Sequence, residues 1–156
     1  MTQLHDLNIE SIQQLAAPSE FLKEFPTTPE IAAQVTDGRD QVARILKGED
    51  DRMLMIVGPC SLHDIEAGYE YAEKLKSLAD EMKNEMLVVM RVYFEKPRTT
   101  VGWKGLIYDP HLNGSFDINT GLRMAREFLL KVSELGLLTA CLLYTSPSPR
   151  DGLLSR

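Results

Sequence analysis

From residue 53 to residue 93 the chain switches between two apolar patterns. Met53-Leu54-Met55-Ile56-Val57 is a continuous apolar run that stops at Gly58-Pro59, which predicts a short strand buried on both faces. Asp64 then stands as a helix N-cap, and Ile65, Ala72, Leu75, Ala79 and Met82 recur on one helical face. Glu70 and Lys74 form an i,i+4 pair outside it. Met86-Leu87-Val88-Val89-Met90 returns to a continuous run that extends to about Tyr93. Strand, helix and strand in that order predict a βαβ unit, with parallel strands and a right-handed crossover.

The flanks carry the same punctuation. Thr28-Pro29-Glu30 reads as an N-cap, a proline at the first helical position and an acid suited to a helix N-terminus. Ile31, Val35, Val42, Ile45 and Leu46 give the helix that follows an apolar face, and Gly48 ends it. Before it, Met1 to about Phe25 contains Pro18 and lies just ahead of Pro26, the pattern of an arm with one or two short helical turns outside the core. Beyond the polar stretch from Glu95 to Asn113, Asp117 or Asn119 caps a further helix with Leu122, Phe128, Leu129, Val132 and Leu135 on its apolar side. Gly136 stops it, and a third strand is due near Leu137. Pro147 and Pro149 forbid a central strand through Cys141 to Arg156. That segment has the composition of a linker or of non-native read-through.

Composition narrows the class of molecule. At 156 residues the chain suits one domain and falls short of the ~250 residues of a complete (β/α)8 barrel. Hydrophobic residues at 44% and charged residues at 26% are those of a folding chain. A formal net charge of -6 argues against nucleic-acid or anionic-membrane partners. No apolar run approaches the ~20 residues of a membrane span, and Met1 to Glu10 lacks a secretory pattern, so the expected location is the cytoplasm. Cys60 and Cys141 make no metal-binding or disulfide spacing.

Against that acidic background one loop stands apart. Arg91, Lys96, Arg98 and Lys104 cluster with a single acid, Glu95, and with the hydroxyls of Thr99 and Thr100. The loop begins at the C-terminal end of a predicted parallel strand, where catalytic groups gather in such folds. Arginine forks and lysine point charges suit phosphate or carboxylate, and the bland alternative is a solvated basic loop. The first strand ends in Gly58-Pro59-Cys60-Ser61-Leu62-His63-Asp64 at the same mouth. Cys60 is open to three readings: nucleophile, metal ligand or small core residue. His63 reads as structural and His111 as a loop hydrogen-bonding residue. No GxGxxG, GxxxxGK[ST] or GxSxG motif is present, which removes the common dinucleotide, P-loop and hydrolase-elbow readings.

Gly58 to Asp64 and the long run Met90 to Gly105 resemble the signature of class I (microbial, feedback-regulated) 3-deoxy-D-arabino-heptulosonate 7-phosphate synthases. Asp50-Asp51-Arg52, Asp109-Pro110-His111 and Gly121-Leu122-Arg123 are similar to that family too, and the resemblance runs from Met1 to about Ala140. It implies the N-terminal part of a (β/α)8 TIM barrel with an N-terminal helical extension. The division expected is 1–50 extension and helix, 51–140 first βα units, and 141–156 a tail outside the family pattern. It further implies condensation of phosphoenolpyruvate with erythrose 4-phosphate at the entrance to aromatic amino-acid biosynthesis. Cys60 becomes one ligand of a divalent metal ion such as Mn, Fe or Co. Arg91 and Lys96 contact phosphoenolpyruvate, Arg98 and Thr99 grip the phosphate of erythrose 4-phosphate, and Lys96 is the candidate proton donor. Asp6 is a possible contributor to a regulatory site, and the parent enzyme is expected to be a homo-oligomer. The remaining metal ligands lie on later strands of the family, so the 156-residue chain is expected to be inactive and aggregation-prone alone. Two rival readings are a non-catalytic truncated product and a small phosphate-binding module.

Overall fold

Parallel pairing of the apolar runs organises the molecule. The computed structural model describes residues 12–95 and 102–141, and within them three strands, β1 (Met53–Val57), β2 (Met86–Arg91) and β3 (Leu138–Ala140), form one sheet in the order β1-β2-β3. Both pairings are parallel: Leu54 lies opposite Leu87, Ile56 opposite Val89, and Val89 in turn opposite Leu138. The third strand begins one residue after the predicted Leu137 and ends at Ala140.

The helices begin at the predicted caps. In α2 (Pro29–Lys47) Thr28 Oγ1 accepts from Ile31 N, in α3 (Ile65–Glu81) Asp64 accepts from Ala67 N, and in α4 (Ile118–Glu134) Asp117 accepts from Thr120 N. Gly48 closes α2 at φ 73°, a conformation that glycine enters without a steric cost. The arm supplies one further short helix, α1 (Pro18–Glu24). It is less detached from the core than its sequence suggests, because Phe21 is buried.

Side chains alternate across the strands, so the sheet has two distinct faces. Met55, Val57, Val88 and Met90 face α3 and α4, where Phe128 is fully buried between Tyr69, stacked at 4.8 Å, and Phe94, edge-on at 6.1 Å. Burying one such ring stabilises the fold by roughly 2–3 kcal/mol. The opposite face, with Leu54, Ile56, Val89 and Leu138, is covered in part by α2. A Cβ at Gly38 would lie only 2.2 Å from Leu138 Cδ2, so the absent side chain is what lets α2 approach β3.

This division corrects one expectation. β2 is buried, whereas β1 is half-buried along its length and Met53 is exposed. β1 is an edge of the described sheet, with a single neighbour and one partly covered face. Leu46, placed on the apolar side of α2 by its spacing, is 75% exposed, because the helix meets the sheet mainly through Val35, Gly38 and Val42.

At the N-terminal end of the strands Arg52 acts as a latch. Its guanidinium binds Asp50 through Nε and Nη2, at 3.0 and 2.7 Å, and reaches Gln41 Oε1 on α2 and the carbonyl of Lys83 beyond α3. The Arg52 hydrogen bonds hold the Asp50 carboxyl down at about 2. Since the folded value lies below the ordinary 3.8, the unfolded chain binds the extra proton between those values. The latch therefore contributes fully above about pH 4 and is lost as pH falls toward 2. Asp50→Asn is expected to flatten the acid limb of a stability-against-pH curve measured by denaturant unfolding. An unchanged slope would count against the latch.

At the other end of the chain α4 anchors the arm. Asn119 Oδ1 accepts from Ala16 N at 3.0 Å, Arg123 Nε binds both oxygens of Glu24, and Arg126 Nη2 reaches the Phe25 carbonyl and Thr27 Oγ1. Among the described residues no helix is long and apolar enough to cross a membrane.

Candidate functional site

The C-terminal ends of β1 and β2 converge through a close backbone contact. A Cβ at Gly58 would lie 2.1 Å from the Arg91 carbonyl oxygen, so only glycine lets the chain leave β1 at that point. The next turn, Pro59 to Leu62, folds back over β2, and Leu62 N donates to Tyr93 O at 2.7 Å. The two predicted loops thus share one mouth.

Arg91 occupies that mouth. It continues the face of Leu54, Ile56 and Val89, the face away from α3 and α4. Its Nη1 donates to the carbonyls of Pro59 at 3.1 Å and Cys60 at 3.3 Å, and its guanidinium lies 5.0 Å from the Tyr93 ring centroid. A guanidinium has five N–H donors in a rigid fork. Two carbonyls and a ring therefore fix its orientation while donors remain for an anion. The structure brings Arg91 and Cys60 together, through the Cys60 backbone; the thiol residue itself is exposed.

A metal needs more than Cys60. Among the described residues no three His, Cys, Asp or Glu side chains are grouped to hold one, and His63 is engaged elsewhere, its ring edge-on to Trp103 at 6.5 Å. Among the described residues Cys60 would be one donor only, and a metal ion there would need ligands from elsewhere.

Lys96, Arg98 and Thr99 lie outside the described residues, as does Asp6. The base of their loop is described. Glu95 and Gly105 form an antiparallel bridge, Leu106 N donates to Phe94 O at 2.9 Å, and the Glu95 carboxylate accepts from Ile107 N at 3.1 Å. Burial pushes the Glu95 carboxyl above its ordinary value, partly countered by the Ile107 and Tyr108 amides. Glu95 is thus an internal anchor of the loop base. Trp103 Nε1 donates to Asp109 O at 2.8 Å, and the buried Asp109 carboxylate accepts from Asn113 N and Gly114 N. His111 Nε2 lies 3.6 Å from Asp117 Oδ2, the loop role its sequence setting suggests. The Asp117 carboxyl is held below its usual value by Thr120 and, to a smaller degree, His111.

Tyr93, Trp103 and Asp109 support the site through contacts that neither the basic cluster nor the resemblance assigns to them. Asp109-Pro110 between two glycines, Gly105 and Gly114, was the available signal, since a buried carboxylate that collects backbone N–H groups is typical of a tightly turned loop.

Comparison with known proteins gives concordant matches. The model of the DAHP synthetase I family matches residues 24–147. The phospho-2-dehydro-3-deoxyheptonate aldolase of Escherichia coli strain K12 named Trp-sensitive is 51% identical over 140 residues, which is 90% of this chain and 40% of that protein. The Phe-sensitive one of the same strain is 53% identical over 135 residues, 86% of this chain and 39% of that protein. The structure of phospho-2-dehydro-3-deoxyheptonate aldolase from Francisella tularensis SCHU S4 superposes with a TM-score of 0.82 at 42% identity, covering 88% of this chain and 40% of that one. The chain spans about two-fifths of the length of each of these relatives.

Proposed function

The chain belongs to the DAHP synthetase I family, and from that premise we propose that it supplies the opening βα units of a (β/α)8 barrel that condenses phosphoenolpyruvate with erythrose 4-phosphate. One water is consumed as the phosphate of phosphoenolpyruvate leaves, the products are 3-deoxy-D-arabino-heptulosonate 7-phosphate and phosphate, and the reaction is the first step of aromatic amino-acid biosynthesis. In this reading residues 1–50 are an extension, 51–140 the first units of the barrel and 141–156 a tail, although the family match itself runs to residue 147. The parent enzyme works in the cytoplasm as a homo-oligomer.

One observation carries the proposal. Arg91 is held at the common mouth of β1 and β2 by the carbonyls of Pro59 and Cys60 through Nη1 alone, which supports reading its other donors as an anion-binding fork. Arg91 and Lys96 take phosphoenolpyruvate, while Arg98 and Thr99 take the phosphate of the aldose. Holding two mutually repelling anions in reacting geometry is the larger part of the chemistry asked of these residues. Lys96 then delivers a proton to the aldehyde oxygen as the carbon–carbon bond forms. Cys60 would contribute one donor to a divalent metal ion such as Mn, Fe or Co, which would be completed by residues from later strands and would supply Lewis-acid polarisation of the aldehyde.

A self-contained phosphate-binding module, the rival reading, is disfavoured by matches that each cover about two-fifths of a longer enzyme. The test is a chimera in which residues 1–140 replace the matching part of the E. coli Trp-sensitive relative. It should release phosphate only when both substrates are present, and Cys60→Ala should abolish that release. The 156-residue chain alone should release none. A folded chimera without activity, or activity from the chain alone, refutes the proposal.

A further inference from the structure

Trp103, the chain's single tryptophan, stands where the basic stretch rejoins the described fold, and three contacts pin it. Its indole packs against the core to which Leu62, Phe94 and Leu106 belong, its Nε1 donates to the Asp109 carbonyl at 2.8 Å, and its ring lies perpendicular to that of His63 with 6.5 Å between centroids. His63 belongs to the turn after β1, so the indole bridges the two loops that form the mouth. Asp109 is itself fixed: its N–H donates to the Gly105 carbonyl at 3.0 Å, and its buried carboxylate accepts from Asn113 N and Gly114 N. Two residues beyond Trp103, Gly105 pairs with Glu95, and at φ 140° it lies so close to the Phe94 carbonyl that no Cβ would fit. The exit of the basic stretch is therefore set by backbone pairing at Gly105 and by a side chain at Trp103. Its entrance is set separately, by β2.

We propose that Trp103 is a positioning residue for the half of the site that takes the phosphate of erythrose 4-phosphate. This rests on the reading above, in which Arg98 and Thr99 grip that phosphate. They precede Trp103 by five and four residues, on the side of the stretch that the indole anchors. The phosphoenolpyruvate contacts are placed from the other side. Arg91 lies on β2 and is oriented by the Pro59 and Cys60 carbonyls and the Tyr93 ring, and Lys96 follows directly on Glu95. A displaced anchor at Trp103 thus reaches the aldose phosphate before it reaches phosphoenolpyruvate. An indole suits this task, since a broad rigid ring fixes position by packing while its one N–H, spent on a carbonyl, fixes which way the ring lies. Displacing a binding group by about 1 Å is enough to cost about a hundredfold.

The experiment uses the chimera and varies each substrate in turn. Trp103→Phe keeps most of the ring packing and loses the hydrogen bond to Asp109, while Trp103→Leu loses both. KM for erythrose 4-phosphate should rise about fivefold in the first, the worth of one neutral hydrogen bond, and about fiftyfold in the second. KM for phosphoenolpyruvate should change by less than about twofold in either, so the two substrates separate. Val132→Ala, which thins the same core from α4, controls for a merely structural effect: it should lower the urea midpoint and leave both KM values unchanged. Should Trp103→Leu not fold, Trp103→Phe decides, because it disturbs the packing least. Equal rises for the two substrates, no rise for either in folded variants, or the same separation from Val132→Ala overturns the inference while the proposed reaction stands. A folded chimera with Trp103 intact that releases no phosphate removes the proposed reaction and this inference with it.

Discussion

In the chimera described above, Arg91→Lys is expected to lower kcat/KM for phosphoenolpyruvate by about a thousandfold while leaving the protein folded. Lysine keeps the charge and loses the fork. A compact ammonium on a flexible stem cannot hold the carbonyls of Pro59 and Cys60, cover the Tyr93 ring and still present paired donors to a carboxylate or phosphate. A hydrogen bond to a charged group contributes roughly 1.5–3 kcal/mol, so losing two to the substrate costs about 4 kcal/mol, close to three decades of rate. Steady-state kinetics with phosphoenolpyruvate as the varied substrate measures the loss. A change below tenfold would mean that Arg91 serves the turn and not the substrate.

Gly58→Ala should be strongly destabilising through a single added methyl group. Gly58 does not adopt a positive φ, so the backbone conformation tolerates alanine and only space refuses it. The obstacle is the Arg91 carbonyl oxygen at 2.1 Å, part of the sheet backbone rather than a side-chain tip. Relieving the contact must part the ends of β1 and β2, at a cost of about 3 kcal/mol, the upper end of usual overpacking penalties. Urea unfolding of the chimera measures it. Gly114→Ala is the control, since Gly114 sits at φ 73° with nothing within 4 Å of a built Cβ; it should cost about 1 kcal/mol. A cost at Gly58 no larger than that at Gly114 would show that the contact with the Arg91 carbonyl relaxes without parting the strands.

Local chemistry was legible in the sequence, and long-range chemistry was not. Thr28, Asp64 and Asp117 announce their helices because a cap acts on an amide three residues away. The β1 and β2 runs announce strands, yet nothing within Met53–Val57 says that this strand is a half-buried edge; that depends on what lies beside it. The same division holds at the site. Arg91 at a strand end was a fair inference from charge and position. Its partners, the Pro59 and Cys60 carbonyls, are backbone atoms some thirty residues earlier and carry no residue signature. Glu95 looked like one acid among cations and proves to be the anchor of the loop base through Ile107. Where a residue's partner is a main-chain group brought close only by the fold, composition cannot reveal it.

The ties between the arm and α4 have a consequence for the order of events at the ribosome. Glu24 meets Arg123 across a separation of 99 residues, and Ala16 meets Asn119 across 103. At roughly 5–20 residues per second, the arm emerges about 5–20 s before α4 exists to receive it. Phe21 and the first turn of the chain must wait in solvent through that interval, with no native surface to cover them. Whatever binds nascent chains in the cell has that interval in which to reach Phe21, whose native cover is made about a hundred residues later.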